Sequence, residues 1–301
     1  MNNNKIDLEE ENRKPLVSIG MPVYNESRFI QSSLDSILSQ SYKNIEIIIS
    51  DNFSTDSTFQ ICSDYSKNNK KIKLHRFDKN NGAAANFEYV LKNSTGKYFM
   101  WASGHDLWKN NLIEKYVEQL ELNQTASLAI ASNNWISETG HRLKIKTSHY
   151  DTRGLDPVAR YFTVFWGSMN PILGIIRREN ISSKSITKIV GSDLVFLTSL
   201  ALNGDFIHVK NTEWNRREFR REKNYEEKLK RYKSESFGLA TSLTSKAFPL
   251  AQLPYALISN TLRSNTPIKI KISILFLLIF TMPIKYFCGK YLSKTPNHDA
   301  E

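Results

Sequence analysis

The chain has 301 residues, 40% of them hydrophobic and 24% charged, a composition that excludes a disordered protein and allows one large domain or one domain with an appendage. Its two cysteines, Cys62 and Cys288, lie too far apart for a disulfide framework or a metal knuckle. The formal charge of +11 points to an anionic partner (nucleotide, membrane surface or nucleic acid) without choosing among them.

Residues 1–14 are rich in Asn and Glu and lack the apolar core of a signal peptide, so the expectation is a polar tail on a cytosolic protein. Residues 16–21 predict a first buried strand, ended by Pro22-Val-Tyr-Asn-Glu26. Phe29, Ile30, Leu34, Ile37 and Leu38 then recur at helical spacing. Residues 45–50 predict a second strand, closed by Asp51-Asn-Phe-Ser-Thr-Asp56. Ser54 or Thr55 can cap the next helix, whose inner face takes Phe59, Cys62 and Tyr65. A third strand, 72–77, passes through Asn80–Asn86 into a helix ending near Leu91. A fourth, 98–102, is a short apolar run stopped by a polar turn carrying His105 and Asp106. Strands alternating with helices in this way make βαβ units and a mainly parallel sheet.

Beyond it, Leu112, Ile113, Tyr116, Val117 and Leu120 predict an amphipathic helix, and residues 128–132 a strand. Residues 135–145 predict a hairpin about Gly140, 157–165 a helix and 171–176 another strand. An apolar helix over 194–202 is introduced by Gly191-Ser-Asp193 and closed by Asn203-Gly204 in the manner of a glycine C-cap. From Lys210 to Lys233 there are ten Lys or Arg against five Glu, about half of the net charge. The apolar run at 272–284 follows, flanked by Lys269, Lys271 and Lys285. Its 13 residues span about 20 Å as a helix, against roughly 30 Å of hydrocarbon, and Pro283 limits it further. Three readings stand: a segment lying in the membrane interface, a transmembrane helix, and ordinary packing. The first suits the length and the flanking lysines best.

Polar residues gather where strands end. Tyr24, Asn25 and Glu26 follow the first strand, Asp51 and Asp56 the second, Asn81 and Gly82 the third, His105 and Asp106 the fourth. In a parallel sheet all four sets share one edge, where ligands of open α/β sheets bind. Each set alone has a local explanation as turn or cap, which for Asp56 is the preferred one. Together they suit a nucleotide. Tyr24 offers an aromatic face to a base, Asp51 an acceptor for a base N–H or ribose hydroxyl, and Gly82 close backbone approach. Asp106 can bind a divalent cation bridging phosphates. The P-loop and G-x-G-x-x-G patterns are missing, against a P-loop NTPase and a Rossmann dehydrogenase.

Val17-Ser-Ile-Gly-Met-Pro-Val-Tyr-Asn-Glu26, Ile48-Ile-Ser-Asp-Asn-Phe-Ser-Thr-Asp-Ser57, Asn81-Gly82 with Asn86, and Gly96-Lys-Tyr-Phe-Met-Trp-Ala-Ser-Gly-His-Asp106 resemble the successive signatures of family 2 glycosyltransferases. The resemblance covers roughly residues 15–220. It implies a GT-A fold: a mainly parallel sheet flanked by helices, with a Rossmann-like nucleotide-binding half, here followed by a basic, then apolar helical extension over 221–301. It also implies a nucleotide-sugar donor and transfer with inversion, with Pro22, Tyr24, Glu26 and Asp51 on the nucleotide. Asp106 falls at the last position of the acidic Asp-x-Asp type motif, on metal and diphosphate.

Here the sequence departs from the family. Ser103 and His105 stand where acidic residues are more usual, so only Asp106 keeps its carboxylate. His105 can ligate as neutral imidazole, which suits Mn²⁺ better than Mg²⁺, or can be a satisfied turn residue. The resemblance places the catalytic base at the start of a later helix, a context that Asp193 matches, although a plain N-cap also explains it. Arg216 and Arg217 can neutralise the leaving diphosphate or belong to a solvated basic surface. The expected protein is thus a hexosyltransferase-type enzyme of cell-surface polysaccharide or glycolipid assembly. It would act on a saccharide or lipid-linked acceptor, peripheral on the cytosolic face of the inner membrane, without nucleic acid. The alternative is a weak or inactive relative that binds nucleotide-sugar as a scaffold.

Overall fold

The computed structural model describes residues 14–181, 189, 191–218 and 251–291. Nearly all of the polar tail and positions 219–233 of the basic stretch lie outside the described residues. β1 (Val17–Val23) leads to α1 (Ile30–Leu38), β2 (Ile45–Asp51) to α2 (Thr58–Asn68), β3 (Ile72–Arg76) to α3 (Ala83–Lys92), and so to β4 (Tyr98–Trp101). β2 is buried at all seven positions, as its unbroken β-branched run requires of a strand covered on both faces. β1 to β4 are mutually parallel in the order β3-β2-β1-β4.

The chain continues through β5 (Leu107–Trp108), α4 (Leu112–Leu122), β6 (Ala126–Ile136), β7 (Arg142–Leu143), α5 (Pro157–Trp166), β8 (Ile175–Arg177), α6 (Ser192–Asn203) and β9 (Asp205–Arg217). β8 is antiparallel to both β4 and β6, and β9 is parallel to β6. The carboxyl ends of β1–β4, β6 and β9 therefore emerge on one edge. One face of the sheet packs on α1, α2 and α4 through Ile30, Leu34, Cys62, Ile113 and Tyr116. The other packs on α3 and α6 through Val90, Phe196, Leu197 and Leu200. α7 (Gln252–Arg263) and α8 (Ile268–Tyr291) form an outer layer, joining α5 and α6 around Tyr161, Phe165, Leu257, Ile274 and Leu278.

Several local expectations change. α2 starts at Thr58, and neither Ser54 nor Thr55 caps it: Ser54 Oγ accepts from Asn25 N, while Asp56 accepts from Thr58 N. The strand expected over 171–176 is a 3-10 turn, Asn170–Leu173, before the three residues of β8. Pro171 has no N–H for a ladder and its fixed φ suits a helical first turn. Gly204 closes α6 without the left-handed conformation of a glycine cap. Its φ of 177° is extended, and a Cβ there would meet Thr125 O at 2.3 Å, so close approach is what selects glycine. α8 runs through Pro283. The carbonyl left without that N–H belongs to Ile279, on the exposed side of the helix (67% exposed).

Candidate active site

The ends of β1 and β2 are stapled together. Asn25 is left-handed at φ 54°, a conformation Asn tolerates, and its side chain accepts from Thr55 N at 2.9 Å. Glu26 N donates to Thr58 Oγ1 (2.7 Å) and Ser27 N to Asp56 (3.1 Å), so Asp56 is a structural brace, as its local reading holds. Pro22 pairs with Ser50 in the ladder, and Tyr24 stands half-exposed where β1 ends.

Asp51, the last residue of β2, is fully buried. Its Oδ2 accepts from Ser54 N at 3.1 Å and lies 3.3 Å from Arg76 Nε, whereas Oδ1 has no partner among the described residues. A buried carboxylate oxygen without a donor is costly, and its position at a strand end suits a ligand N–H or hydroxyl. Asn86 Oδ1 is buried and unpartnered in the same way, while its Nδ2 donates to Val23 O. Asn81 and Gly82 are held as a turn: Asn81 N donates to Asn52 Oδ1 and Gly82 N to Asn80 Oδ1, both at 2.9 Å, with Gly82 at φ 82°.

Sequence reasoning gave no role to Asn52, Arg76 or Phe53. Arg76 ends β3 directly opposite Asp51 in register, a basic strand end that signals a counter-ion. Phe53 sits at φ 63°, uncommon for a bulky side chain, is 42% exposed, and lies under the Arg76 guanidinium at 5.3 Å.

After β4 the chain enters β5, and the N-cap of α4 is Asn111, so His105 and Asp106 cap no helix. Asp106 is 1% exposed, and its Oδ1 accepts from Arg217 N at 2.9 Å. His105 Nδ1 lies 2.9 Å from Glu26 Oε1, and Nε2 lies 3.9 Å from Asp106 Oδ1. Glu26 thus faces His105 and fixes the ring, the arrangement of an outer carboxylate behind a metal-ligating imidazole. Among the described residues no three His, Cys, Asp or Glu side chains are grouped to hold a metal ion. One carboxylate and one imidazole still fit a cation that completes its shell with phosphate oxygens and water.

β9 divides the two arginines. The Arg217 guanidinium donates to the carbonyls of His105 (3.0 Å), Ser137 (3.1 Å) and Glu138 (2.7 Å) and lies over Phe29 at 4.6 Å. These bonds join loops, and at 8% exposure Arg217 is not a solvated surface cation. Arg216, on the opposite face of the strand, donates to Asn170 Oδ1 at 2.7 Å and covers the Trp135 ring at 4.7 Å. Its charge also acts on Asp193. Asp193 lies in the first turn of α6, whose N-cap is Gly191 at φ 88° with no side-chain bond, so the plain-cap explanation of Asp193 does not hold. The Asp193 side chain reaches solvent, but the surrounding protein desolvates its carboxylate and raises its pKa, with Arg216 and Ser192 opposing. The site thus presents buried, unpartnered acceptors on Asp51 and Asn86, a histidine–carboxylate pair, and a separate carboxylate tuned by Arg216.

Structural comparison supports that fold. Staphylococcus aureus TarS 1–349 solved with UDP-GlcNAc superposes with a TM-score of 0.65 at 16% identity, over 92% of this chain and 76% of that one. Its complex with UDP gives 0.62 at 13% identity, over 93% and 75%. A glycosyltransferase of Haemophilus influenzae is 30% identical over 185 residues, 60% of this chain and 70% of that protein. Bacillus subtilis TuaG, whose name assigns it to teichuronic acid biosynthesis, is 36% identical over 36% of this chain and 42% of its own length. A Rickettsia typhi glycosyltransferase is 35% identical over 45% of this chain. The chain spans less than half the length of the first curated relatives it matches, 42% and 18% for the two Rickettsia proteins at their head. Residues 18–172, which hold every strand-end set from Tyr24 to Asp106, match the family described as Glycosyl transferase family 2, and the chain belongs to that family.

Proposed function

We propose that the chain transfers a hexosyl unit from a nucleotide-sugar to an acceptor hydroxyl, inverting the anomeric carbon, in the assembly of a cell-surface polysaccharide or glycolipid. The observation that carries this reading is the buried, unpartnered Oδ1 of Asp51 at the sheet edge. It is an acceptor suited to a base N–H or a ribose hydroxyl. The UDP and UDP-GlcNAc complexes of TarS support a nucleotide-sugar donor, and the assignment of TuaG to teichuronic acid supports a polysaccharide product.

In this reading Asp51, Tyr24, Asn25 and the Asn81–Gly82 turn hold the nucleotide. Asp106 and His105, the latter oriented by Glu26, would hold Mn²⁺ or Mg²⁺, which when bound neutralises diphosphate charge. Asp193 takes the proton of the acceptor hydroxyl as its oxygen attacks the anomeric carbon; the bond to the diphosphate breaks and its electron pair leaves with that group. Arg216 favours the ionised, basic form of Asp193 against desolvation.

The chain would work at the cytosolic face of a membrane. Among the described residues no helix is long and apolar enough to cross one. α8 nevertheless exposes Ile272, Phe276, Ile279, Phe280 and Ile284, which supports peripheral contact.

Thermal-shift titration with UDP, GDP, ADP and CDP, with and without Mn²⁺, tests the donor side, because a ligand of the folded state alone raises the melting temperature with concentration. Stabilisation by one nucleotide and consumption of its sugar supports the reading. Binding without turnover points instead to a scaffold, and no stabilisation by any nucleotide overturns the proposal.

A further inference from the structure

The same edge carries a second concavity. An open groove of about 420 Å³ lies between the end of β6 and residues 142–147, which begin with β7. Asn133 and Trp135 form one wall, and Arg142, Lys144 and Lys146 the other, with no acidic residue in its lining. The sequence Arg142-Leu-Lys-Ile-Lys-Thr147 alternates exposed cations with half-buried neighbours, and all three cations line the groove. Arg142 donates to Asn134 Oδ1, while Lys144 and Lys146 make no ion pair with the described residues. Like charges set close together along the chain repel, and a concave, indole-walled cluster of them concentrates positive potential.

The groove is joined to the proposed chemistry. Asn133 Oδ1 accepts from Asn170 Nδ2 at 2.9 Å, and Asn170 Oδ1 accepts from Arg216. The Arg216 guanidinium covers Trp135 and acts on Asp193. Because β6 runs parallel to β1–β4, this wall stands on the same edge as Asp51 and Asp106, with β9 between the two sets of contacts: Arg217 N donates to Asp106 and Arg216 covers the Trp135 ring.

We propose that the groove beside Trp135 seats the acceptor, and that this acceptor is anionic: a chain bearing negative groups at intervals, phosphodiester or uronate, which Arg142, Lys144 and Lys146 hold while a hydroxyl is presented toward Asp193. The proposal rests on the transferase reading for its role, but the binding itself does not need a donor.

Fluorescence anisotropy tests it with three labelled probes: a glycerol phosphate hexamer, hexagalacturonate and neutral maltohexaose. Wild type is compared with K144Q/K146Q and with K228Q/K230Q, an equal charge change outside the described residues. At least one anionic probe is expected to bind about tenfold or more tighter than maltohexaose. K144Q/K146Q should weaken it about fivefold or more, while K228Q/K230Q changes it less than about twofold. The two anions distinguish phosphate from carboxylate recognition. Equal binding of maltohexaose, or equal weakening by the two double variants, overturns the proposal, the latter because it marks diffuse attraction to a basic protein. Nucleotide thermal shifts on the same samples separate the two readings: a Lys144- and Lys146-dependent anion site without any nucleotide response keeps the groove and removes the transferase role.

Discussion

Asp193 and Asp51 are both carboxylates at element ends, yet their surroundings ask opposite things of them. Desolvation raises the Asp193 pKa above that of the unfolded chain, more than Arg216 and Ser192 lower it. The stability contributed by such a group is present below its unfolded pKa and is lost as pH rises through the higher folded value. Asp193→Asn is therefore expected to melt no lower than wild type at pH 7 to 8 and to approach it as pH falls toward the ordinary carboxylate range, while transfer drops about 10²-fold or more. Wild-type activity should have an acidic limb above the usual aspartate titration. Melting curves across pH, beside a pH–rate profile, check both; a variant that melts lower at pH 8 overturns the raised pKa, and one that transfers normally removes Asp193 from the base role. Asp51 is instead locked by Ser54 N and Arg76 on one oxygen and open on the other. Asp51→Asn keeps the shape but loses a charge-assisted acceptor worth about 1.5–3 kcal/mol, so calorimetry should show nucleoside diphosphate binding weakened roughly 10- to 100-fold.

At the opposite end of β2, Glu46 shows how strongly a single ladder position can hold neighbouring elements. Burial alone would raise its pKa, but Lys73, Ser18 and Thr95 donate to the carboxylate and together hold it at about 2. Ser18 Oγ, Thr95 N and Thr95 Oγ1 converge on Oε1 at 2.6, 2.7 and 2.8 Å, joining β1, β2 and the turn before β4. A depressed folded pKa contributes stability above the unfolded value and loses it as pH falls, here between roughly pH 5 and pH 2. Glu46→Gln should cost on the order of 2–3 kcal/mol in urea melts at pH 7, with the difference shrinking toward pH 3. An undiminished difference at pH 3 would assign the loss to packing. Element existence was legible because buried strands such as Ile45–Asp51 and amphipathic helices such as Leu112–Leu122 write their periods into the chain. The set of strand ends was legible for the same reason, since parallel topology converts order into a shared edge. What escaped depends on long-range pairing. The apolar run at 171–176 signalled a strand, but not that only Ile175–Arg177 would form it or that it would lie antiparallel between β4 and β6. Arg216 and Arg217 look alike in sequence, and only the register of β9 sends one to Asp106 and the other to Trp135. The cationic alternation after Gly140 was readable, but nothing local placed it beside β6.

The whole molecule presents two faces, a polar sheet edge and an outer helical layer, and the second is incompletely covered. α8 buries Ile274 and Leu278 against α5 and α7, but leaves Phe276, Ile279, Phe280 and Ile284 more than half exposed. Tyr255 and Leu262 of α7 are also more than half exposed. Lys269 and Lys271 lie in the first turn of α8, where the exposed Lys271 Nζ donates to Leu262 O at 2.8 Å; Lys285 donates to Phe165 O at 2.6 Å beneath the exposed row. An exposed apolar row with cations at one end is the pattern of a helix lying in a lipid interface, where the rings enter the acyl boundary and the lysines meet anionic headgroups. Fully burying a phenylalanine is worth about 1.5–3 kcal/mol, and rings already half-covered gain about half of that. Phe276→Ser/Phe280→Ser should therefore weaken partition to vesicles of phosphatidylglycerol and phosphatidylethanolamine about tenfold or more. The melting temperature should hardly change, because both rings face outward, 59% and 55% exposed. Vesicle co-sedimentation at low and high salt checks this. Loss of wild-type binding at high salt with an undiminished double variant would leave only charge attraction, and the helix would then serve the fold alone.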